Sequence, residues 1–214
     1  MELSVVIVSY NVLPFLRQCI QSVTTACELM NYELVIVDNN SIDGSATYLR
    51  SLNDDRIKVI CNSRNVGYGS AMNQGIEKTQ GDYLLLLNPD TIITQESVYQ
   101  CIDKLHSDPR CGAVGVRMMD GQGNFLKESK RGYPTALSSL FKTIGLSRIF
   151  PRSKPLAHYH QGHLNPESNA RIDILTGAFF MSRREIIQSI GGFDERYFMY
   201  GEDIDLSHSV TEAG

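Results

Sequence analysis

This 214-residue sequence is poor in the features that identify several common protein classes. No apolar stretch approaches the roughly 20 residues that a membrane-spanning helix needs, and the N-terminus lacks the basic segment of a signal peptide. The net charge is −4 and no long basic run occurs, so the sequence gives no support for a nucleic-acid partner. The five cysteines are scattered without a CxxC pair, which predicts reduced thiols and a cytoplasmic location.

Two phosphate-binding fingerprints are also missing. The GxGxxG pattern does not follow the first predicted strand, which argues against a nicotinamide or flavin enzyme. Neither GxxxxGKS nor GxxxxGKT occurs, so the chain is not a P-loop protein. If the chain binds a nucleotide, it must use a different kind of loop.

What the sequence does contain is a regular alternation of strand-like and helix-like segments over residues 3–116. Leu3–Ser9 and Glu33–Asp38 are apolar and rich in β-branched residues, as expected of strands that are buried on both faces. This alternation predicts an α/β fold with a mostly parallel sheet and helices on both faces. Further strands are predicted at 57–60, 83–87 and 111–116, with helices between the strands.

Residues 117–214 are less regular, and we expect them to form the second part of a single domain. Asp120–Asn124 has the composition of a hairpin tip. Residues 147–169 are rich in proline, serine, histidine and asparagine, which is typical of a loop. Regular structure is predicted to return as strands at 172–175 and 178–181, a helix at 183–190 and a last helix that begins near Glu202.

The strand predicted at Tyr83–Leu87 ends abruptly at a carboxylate. Asn88 and Pro89 stop the strand, since Pro89 cannot donate a ladder hydrogen bond, and Asp90 is left at the carboxyl edge of the sheet. Open α/β sheets bind their ligands at this edge, and a single carboxylate there suits a divalent cation that also holds a ligand's phosphates. The alternative is that Asp90 caps a helix over 92–106, and both interpretations stay open.

Polar clusters follow four successive predicted strands, and parallel strands bring such clusters to the same edge of a sheet. Each cluster alone is common in α/β turns, but four in succession, with two glycines in the third, suit a nucleotide. Asp38 can accept a hydrogen bond from a base, and Gly67 and Gly69 allow a ribose or diphosphate to approach the backbone. The clusters are Ser9-Tyr10-Asn11, Asp38-Asn39-Asn40-Ser41 with Asp43-Gly44-Ser45, Arg64 to Asn73, and Asn88-Pro89-Asp90.

A fifth cluster mixes aromatic residues with carboxylates near the end of the sequence. Glu202, Asp203 and Asp205 lie at or near the start of the last predicted helix. Acidic residues in a first helical turn normally complement the helix dipole, which is the simpler interpretation. Alternatively, the aromatic residues that precede them could raise the pKa of one carboxylate toward that of a general base.

Taken together, these motifs resemble glycosyltransferase family 2, the inverting nucleotide-sugar transferases of the GT-A fold. They occur in the family's order over nearly the whole chain. The segments Asn88–Asp90 and Asn65–Gly69 resemble the rhamnosyltransferase-like branch of this family. The matching motifs are Val5-Val-Ile-Val-Ser-Tyr-Asn11, Val35-Ile-Val-Asp-Asn-Asn-Ser41, Arg64-Asn-Val-Gly-Tyr-Gly-Ser-Ala-Met-Asn73, Leu86-Leu-Asn-Pro-Asp90, Thr176-Gly-Ala-Phe-Phe180, Gly192-Phe-Asp-Glu195 and Glu202-Asp-Ile-Asp-Leu206.

The resemblance implies a role for each candidate residue. Asp90 would be the direct ligand of Mg²⁺ or Mn²⁺, with Asn88 and Asp90 in place of the family's usual DxD motif. Asp203 would be the catalytic base, and Glu202 beside it would orient the acceptor. The residues implied to bind the nucleotide are Ser9, Tyr10, Asn11, Asp38 and Asn40 around the nucleoside, and Asn65, Gly67, Asn73 and Asn88 around the ribose and diphosphate.

The implied activity is transfer of a sugar, with inversion, from a dTDP- or UDP-sugar to a glycan or lipid-linked acceptor. Such a reaction belongs to cell-surface polysaccharide or lipopolysaccharide biosynthesis. Residues 1–116 would form the nucleotide-binding half of one domain and residues 117–214 the acceptor half. Two other functions stay open, namely a sugar nucleotidyltransferase and a non-catalytic module that binds nucleotide sugars.

Two features depart from the family pattern. Asn88 replaces the first carboxylate of the DxD motif, which predicts weaker or more water-mediated metal binding. Ser209 stands where the family has an arginine, and the sequence stops at Gly214, before the histidine that often completes the metal site. We therefore expect the natural polypeptide to continue, this truncated chain to be impaired in activity, and any peripheral association with the inner face of a membrane to involve the missing part.

Overall fold

The computed structural model describes residues 2–134, 153, 159 and 161–213. The chain divides into two compact units, one formed by Met1–Val114 with Gly177–Gly214 and the other by Gly115–Thr176. All of the candidate site residues lie in the first unit. Within the described ranges, no helix is long and apolar enough to cross a membrane.

Six strands form the sheet of the first unit. They are β1 (Leu3–Ser9), β2 (Tyr32–Asp38), β3 (Ile57–Cys61), β4 (Tyr83–Leu87), β5 (Ala113–Val114) and β6 (Phe179–Arg183). Their order in the sheet is β3-β2-β1-β4-β6-β5. The helices of this unit are α1 (Leu13–Ala26), α2 (Ser45–Arg50), α3 (Tyr68–Ile76), α4 (Gln95–Ser107), α5 (Arg184–Ser189) and α6 (Glu202–Glu212).

The chain reverses its direction across this sheet at β1. It moves outward from β1 through β2 to β3 and then returns to place β4 on the other side of β1, with all four strands parallel. Because parallel crossovers are right-handed, α3 lies on the opposite face of the sheet from α1 and α2. The predicted mostly parallel α/β sheet with helices on both faces is therefore confirmed. In such sheets, ligands bind at the carboxyl ends of the strands beside the reversal.

The centre of the sheet is apolar because helices cover both of its faces. All seven residues of β1 and of β2 are buried, and so are the last four residues of β4. The apolar residues of α1 predict a buried stripe of Phe15, Leu16, Cys19, Ile20 and Val23; the last four are buried, whereas Phe15 is exposed. Full burial of each large apolar side chain stabilises the fold by about 1.5–3 kcal/mol relative to exposure.

One buried carboxylate, Glu33, lies at the amino end of β2 and is well partnered. Its Oε1 accepts hydrogen bonds from Ser4 Oγ at 2.7 Å and from Gln80 N at 2.6 Å, and its Oε2 accepts from Lys58 Nζ at 2.6 Å. Burial alone would raise the pKa of Glu33, but these hydrogen bonds outweigh burial and lower it. This network holds the edge of the sheet opposite the candidate site.

The start of α1 has no side-chain cap. The sequence alone predicts that Asn11 caps this helix and that Pro14 lies in its first turn, but α1 begins after Val12 and no side chain caps it. Asn11 has a left-handed backbone, with φ of 57°, and its Oδ1 accepts a hydrogen bond from Ile42 N at 2.8 Å. The side chain is thus used by the neighbouring loop instead of the helix, although Pro14 does lie in the first turn as predicted.

The start of α4 decides between the two interpretations of Asp90. Thr94 caps this helix, because its Oγ1 accepts a hydrogen bond from Ser97 N at 3.2 Å. The interpretation of Asp90 as a helix cap is therefore wrong. Asp90 remains at the carboxyl edge of the sheet, in the turn that follows β4.

The fifth predicted strand is shorter than expected, and its neighbour β6 is the strand of the sheet that runs in the opposite direction. Only Ala113 and Val114 of the predicted 111–116 segment form a strand, and they pair antiparallel with β6. β5 lies at the edge of the sheet, where short strands are usual because one side has no strand partner. The predicted strand at 178–181 and helix at 183–190 are present as β6 and α5.

The second unit has little regular structure among its described residues. The predicted hairpin tip is confirmed, since Asp120 N donates to Asn124 O at 2.9 Å and Met119 bridges to Phe125. The segment 172–175 contributes only an isolated bridge between Ile174 and Arg131 instead of the predicted strand. Much of the loop predicted at 147–169 lies outside the described residues.

Candidate active site

The carboxyl ends of β1 and β2 carry two buried polar side chains side by side. Ser9 and Asp38 are partners in the β1–β2 register, and their exposed fractions are 0% and 1%. Asp38 Oδ2 accepts a hydrogen bond from Ser41 N at 3.1 Å. Ser9 Oγ and Asp38 Oδ1 have no hydrogen-bond partner within the described part of the chain. A buried polar atom without a partner costs about 1–3 kcal/mol, so these two atoms are well suited to a polar ligand.

The loops that follow β1 and β2 are tied to each other. Asn11 N donates to Ser41 Oγ at 2.9 Å, and Leu13 N donates to Asp43 Oδ2 at 2.8 Å. Asn11 and Asn40 both have left-handed backbones, with φ of 57° and 69°, a conformation that is uncommon outside glycine and concentrated at functional sites. Tyr10 is exposed beside them. Because Asn11 Oδ1 already binds the neighbouring loop, the implied contact of Asn11 with a nucleoside stays a prediction.

Asn39 organises the loop after β3, and the sequence analysis did not single it out. Its Nδ2 donates to Asn65 Oδ1 at 2.8 Å and to Gly67 O at 3.1 Å, and its Oδ1 accepts from Val66 N and Asn62 Nδ2, each at 3.1 Å. Asn65 Oδ1 also accepts from Gly67 N at 2.9 Å. Asn39 is 2% exposed, so it positions the candidate binding loop from inside the protein.

The two glycines of this loop face another part of the chain. A Cβ at Gly67, where φ is 90°, would lie 2.8 Å from Phe198 O, and a Cβ at Gly69 would lie 3.3 Å from Phe193 Cβ. Tyr68 N donates to Phe198 O at 3.0 Å. Close packing against residues 193–198 therefore accounts for both glycines, and their predicted contact with a ribose or diphosphate stays a prediction.

Asn73 forms a brace to the same segment. Its Oδ1 accepts a hydrogen bond from Phe193 N at 2.9 Å, while its Nδ2 donates to Phe193 O at 2.9 Å and to Glu195 Oε1 at 3.0 Å. Gly192 makes this close approach possible, because a Cβ there would lie 2.5 Å from Asn73 Oδ1. The structure thus places Asn73 against the segment before α6, and its implied donor contact stays a prediction.

Asn88 and Asp90 lie directly after β4, beside the start of α3. Asn88 Oδ1 accepts a hydrogen bond from Tyr68 Oη at 3.1 Å. Asp90 is exposed and forms no hydrogen bond or ion pair with the residues that the structure describes. Burial and the negative charge of Asp90 together raise the pKa of the neighbouring Cys19 thiol to about 12. Asp90 is therefore a carboxylate that is accessible to a ligand.

The acidic start of α6 converges on the same place. Asp203 Oδ2 lies 3.5 Å from the Gly177 N–H at the start of β6. A Cβ at Gly177 would lie 3.7 Å from Tyr68 Oη and 3.8 Å from Asp203 Cβ, so both side chains flank this glycine. Burial raises the pKa of the Tyr68 phenol far above its usual range, and the carboxylates of Glu202, Asp203 and Asp90 raise it further. The structure thus brings the three predicted carboxylates close enough to one hydroxyl group for their charges to act on it.

The ligand atoms that the protein offers here suit a divalent cation whose coordination is completed by a bound ligand. Within the described residues, no group of three or more His, Cys, Asp or Glu side chains could hold a metal ion without other ligands. Mg²⁺ is usually held by one or two carboxylates together with waters and substrate phosphates. A single carboxylate such as Asp90 fits that pattern. The described side chains do not suit a metal site in which every ligand comes from the protein.

The segment before α6 is exposed and apolar. Tyr197, Phe198, Met199 and Tyr200 are 39%, 56%, 48% and 84% exposed, and Tyr200 has a left-handed backbone with φ of 68°. A shallow cavity of about 210 Å³ lies elsewhere, at the amino end of β4 and the carboxyl end of β6. Arg183, which lines this cavity, already donates to the backbone oxygens of Leu105, Pro109 and Cys111, so the cavity is not a strong site candidate.

Comparison with known proteins gives consistent matches. The family described as glycosyl transferase family 2 matches residues 4–191. The N-acetylglucosaminyl-diphospho-decaprenol L-rhamnosyltransferase of Mycobacterium tuberculosis is 31% identical over 225 residues, which cover 99% of this chain and 71% of the relative. The fold is similar to that of a mannosyltransferase from Pyrobaculum calidifontis in complex with GDP-Man and Mn²⁺, with a TM-score of 0.65 and 18% identity.

A second solved structure shows the same fold. The structure of TarS from S. aureus in complex with UDP-GlcNAc has a TM-score of 0.65 and 19% identity. The two matched structures include 99% and 100% of this chain, which spans only 51% and 54% of their own lengths. The chain therefore covers about half of these proteins, and the rest of their length has no counterpart in it.

Proposed function

Because this chain belongs to glycosyl transferase family 2, we propose that it transfers a sugar from a nucleoside diphosphate sugar to a hydroxyl group, with inversion at the anomeric carbon. One observation carries this proposal. The negative charges of Asp90, Glu202 and Asp203 all act on the Tyr68 phenol, and Asp90 lies at the carboxyl edge of the sheet, where α/β folds bind ligands. Buried Ser9 and Asp38 lie along the same edge.

The donor would lie along the ends of the parallel strands. Asp38 Oδ1 would accept a hydrogen bond from the base, with Ser9, Tyr10, Asn11 and Asn40 around the nucleoside. Asn65, Gly67, Asn73 and Asn88 would lie on the ribose and diphosphate side. Asp90 would hold Mg²⁺ or Mn²⁺, which when bound offsets the negative charge of the departing nucleoside diphosphate.

The reaction would be a single displacement. Asp203 would take the proton from an acceptor hydroxyl, and Glu202 would orient the acceptor. The hydroxyl oxygen forms a bond to the anomeric carbon from the face opposite the diphosphate, and the bond from that carbon to the diphosphate oxygen breaks. The products are an inverted glycoside and a nucleoside diphosphate, with the proton on the Asp203 carboxylate.

Relatives support a choice of substrates. The name of the mycobacterial relative describes a rhamnosyltransferase that acts on a lipid-linked N-acetylglucosamine diphosphate, and TarS was solved with UDP-GlcNAc. We propose a dTDP- or UDP-sugar as donor and a glycan or lipid-linked saccharide as acceptor, in the synthesis of a cell-surface polysaccharide. Peripheral membrane association stays a prediction.

Product analysis tests this function. Purified protein is incubated with dTDP-rhamnose or UDP-GlcNAc, a lipid-diphosphate-linked N-acetylglucosamine and Mg²⁺, and the phosphorus products are identified by ³¹P NMR. Acceptor-dependent release of free nucleoside diphosphate, with an inverted product anomer by ¹H NMR, is expected. Release of pyrophosphate from a nucleoside triphosphate and a sugar phosphate would instead identify a nucleotidyltransferase. Donor binding without turnover would support a non-catalytic binding module.

A further inference from the structure

Tyr68 connects the turn that carries Asn88 to the acidic start of α6. The residue opens α3, and its ring makes an edge contact with Phe193, with ring centroids 5.9 Å apart and planes at 87°. Its hydroxyl lies 3.1 Å from Asn88 Oδ1 and beside the Gly177 position that also flanks Asp203. The phenol is therefore placed between the candidate donor site and the candidate base.

The direction of the Tyr68–Asn88 hydrogen bond follows from the chemistry of the two groups. An amide oxygen can only accept a hydrogen bond, so the Tyr68 hydroxyl donates its hydrogen to Asn88 Oδ1. Within the described residues, Asn88 Oδ1 is its hydrogen-bond acceptor. An amide whose oxygen faces Tyr68 presents its Nδ2 hydrogens on the other side.

This orientation limits what Asn88 can do. An amide nitrogen donates hydrogen bonds and has no free electron pair for a metal ion, whereas the amide oxygen can ligate one. We propose that Tyr68 is a positioning residue that turns the Asn88 amide so that Nδ2 donates to an oxygen of the bound nucleoside diphosphate. Asp90 then supplies the sole protein ligand to the metal from this turn. The inference depends on the proposed function, because it presupposes a nucleoside diphosphate at this edge.

A double-mutant cycle measures how far the effects of Tyr68 and Asn88 on nucleotide affinity depend on each other. Wild type, Tyr68→Phe, Asn88→Ala and the double variant are titrated by calorimetry with whichever of UDP and dTDP binds wild type more tightly, once with Mn²⁺ and once with a chelator. Tyr68→Phe keeps the ring packing and removes only the hydroxyl. The matched control is Tyr83→Phe, which removes a hydroxyl from the opposite end of β4, where it lies 3.4 Å from His106 Nδ1.

We expect Tyr68→Phe to weaken binding about fivefold, the equivalent of one neutral hydrogen bond, by the same factor with metal and with chelator. In the Asn88→Ala background, the same substitution should have no further effect, and Tyr83→Phe should bind as wild type does. The inference would be overturned if Tyr68→Phe and Asn88→Ala acted independently or if Tyr68→Phe bound as tightly as wild type. A loss of affinity in Tyr68→Phe that is seen only with Mn²⁺ would also overturn it. If wild type binds neither nucleotide, the proposed function fails and this inference fails with it.

An NMR measurement on wild type tests the orientation of the Asn88 amide independently and does not require Tyr68→Phe to fold. The Asn88 side-chain amide is assigned as the ¹⁵N–¹H₂ pair that is absent from the spectrum of Asn88→Ala. On addition of the nucleotide in chelator, this pair should shift as its hydrogens bind a ligand oxygen. A pair that shifts only after Mg²⁺ is added would indicate a metal-ligating oxygen and overturn the proposed orientation.

Discussion

Replacement of Asp38 by asparagine should weaken nucleotide binding while leaving the fold as stable or more stable. The carboxylate is 1% exposed, and its Oδ2 accepts one backbone hydrogen bond from Ser41 while Oδ1 has no partner among the described residues. Burial of a charge with so few partners costs free energy. In Asp38→Asn, the amide oxygen can keep the Ser41 contact while the charge is lost.

The same substitution places an amide donor where Oδ1 would accept a hydrogen bond from a base. Loss of a hydrogen bond to a charged group costs about 1.5–3 kcal/mol, which is a roughly 10- to 150-fold weaker affinity. Calorimetry with UDP and dTDP in chelator measures this loss, and denaturant unfolding without ligand measures stability. Because the base lies away from the metal, the loss should be the same with Mn²⁺.

The matched control is Asp43→Asn in the same loop. Asp43 accepts hydrogen bonds from Leu13 N at 2.8 Å, Ser45 N at 3.0 Å and Ser45 Oγ at 2.6 Å, so this change should lower stability without a direct effect on the nucleotide. An Asp38→Asn variant that is less stable than wild type but binds nucleotide within about twofold would refute the reasoning. Asp38 would then serve to hold the Ser41 turn.

Three further outcomes are expected. Asp203→Asn should keep the nucleotide affinity but lower the rate of transfer by roughly 10²–10⁴-fold, measured as acceptor-dependent release of nucleoside diphosphate. The transfer rate of Asp205→Asn should stay near that of wild type. The reverse result would make the assignment of the base wrong. Asp90→Ala should abolish the extra thermal stabilisation that UDP or dTDP gives with Mn²⁺ and leave the stabilisation in chelator unchanged, and equal stabilisation of wild type with and without metal would contradict the metal role. Glu33→Gln should lower the free energy of unfolding by about 1.5–3 kcal/mol at pH 7. The pKa of Glu33 is lowered in the folded state, so its ionised form contributes stability above the unfolded pKa of about 4.3. Urea unfolding should therefore show that the stability difference between wild type and Glu33→Gln shrinks as pH falls through the folded pKa. A difference that is constant down to pH 2 would exclude the ionised network.

The sheet and its polar edge were predictable because they follow from local sequence patterns. Apolar, β-branched runs such as Leu3–Ser9 specify buried strands, and their alternation with helices specifies parallel pairing. Parallel pairing in turn places Ser9, Asp38 and Asp90 at one edge without knowledge of any long-range contact. The position of β5 at the edge of the sheet was not predictable in this way, because it depends on pairing with the antiparallel strand β6, more than sixty residues later in the sequence.

The functions of individual amides and glycines were less predictable. Asn39 and Asn40 are adjacent and chemically identical, yet Asn39 points inward to hold Asn65 and Gly67. The sequence pattern of Gly67 suits either a ligand or a protein backbone, and only the position of Phe198 shows that the backbone of this chain is its close neighbour. Local pattern indicates which residue types can fulfil a role, but tertiary contact decides which of them does.

The contacts of α3 hold the segment before α6 in place at the candidate site. The start of α3 binds the backbone of Phe198 through Tyr68 N, and its Asn73 binds the backbone of Phe193 on both sides. Asp203 follows within a few residues on the same stretch of chain, so α3 holds the segment that leads to the candidate base through contacts with the backbone of Phe193 and Phe198. This arrangement explains why Gly67 is required in the loop after β3 even if the nucleotide never touches it. An alanine at position 67 would push against Phe198 O and displace the acidic start of α6, so it should reduce the rate of transfer more than it reduces nucleotide affinity.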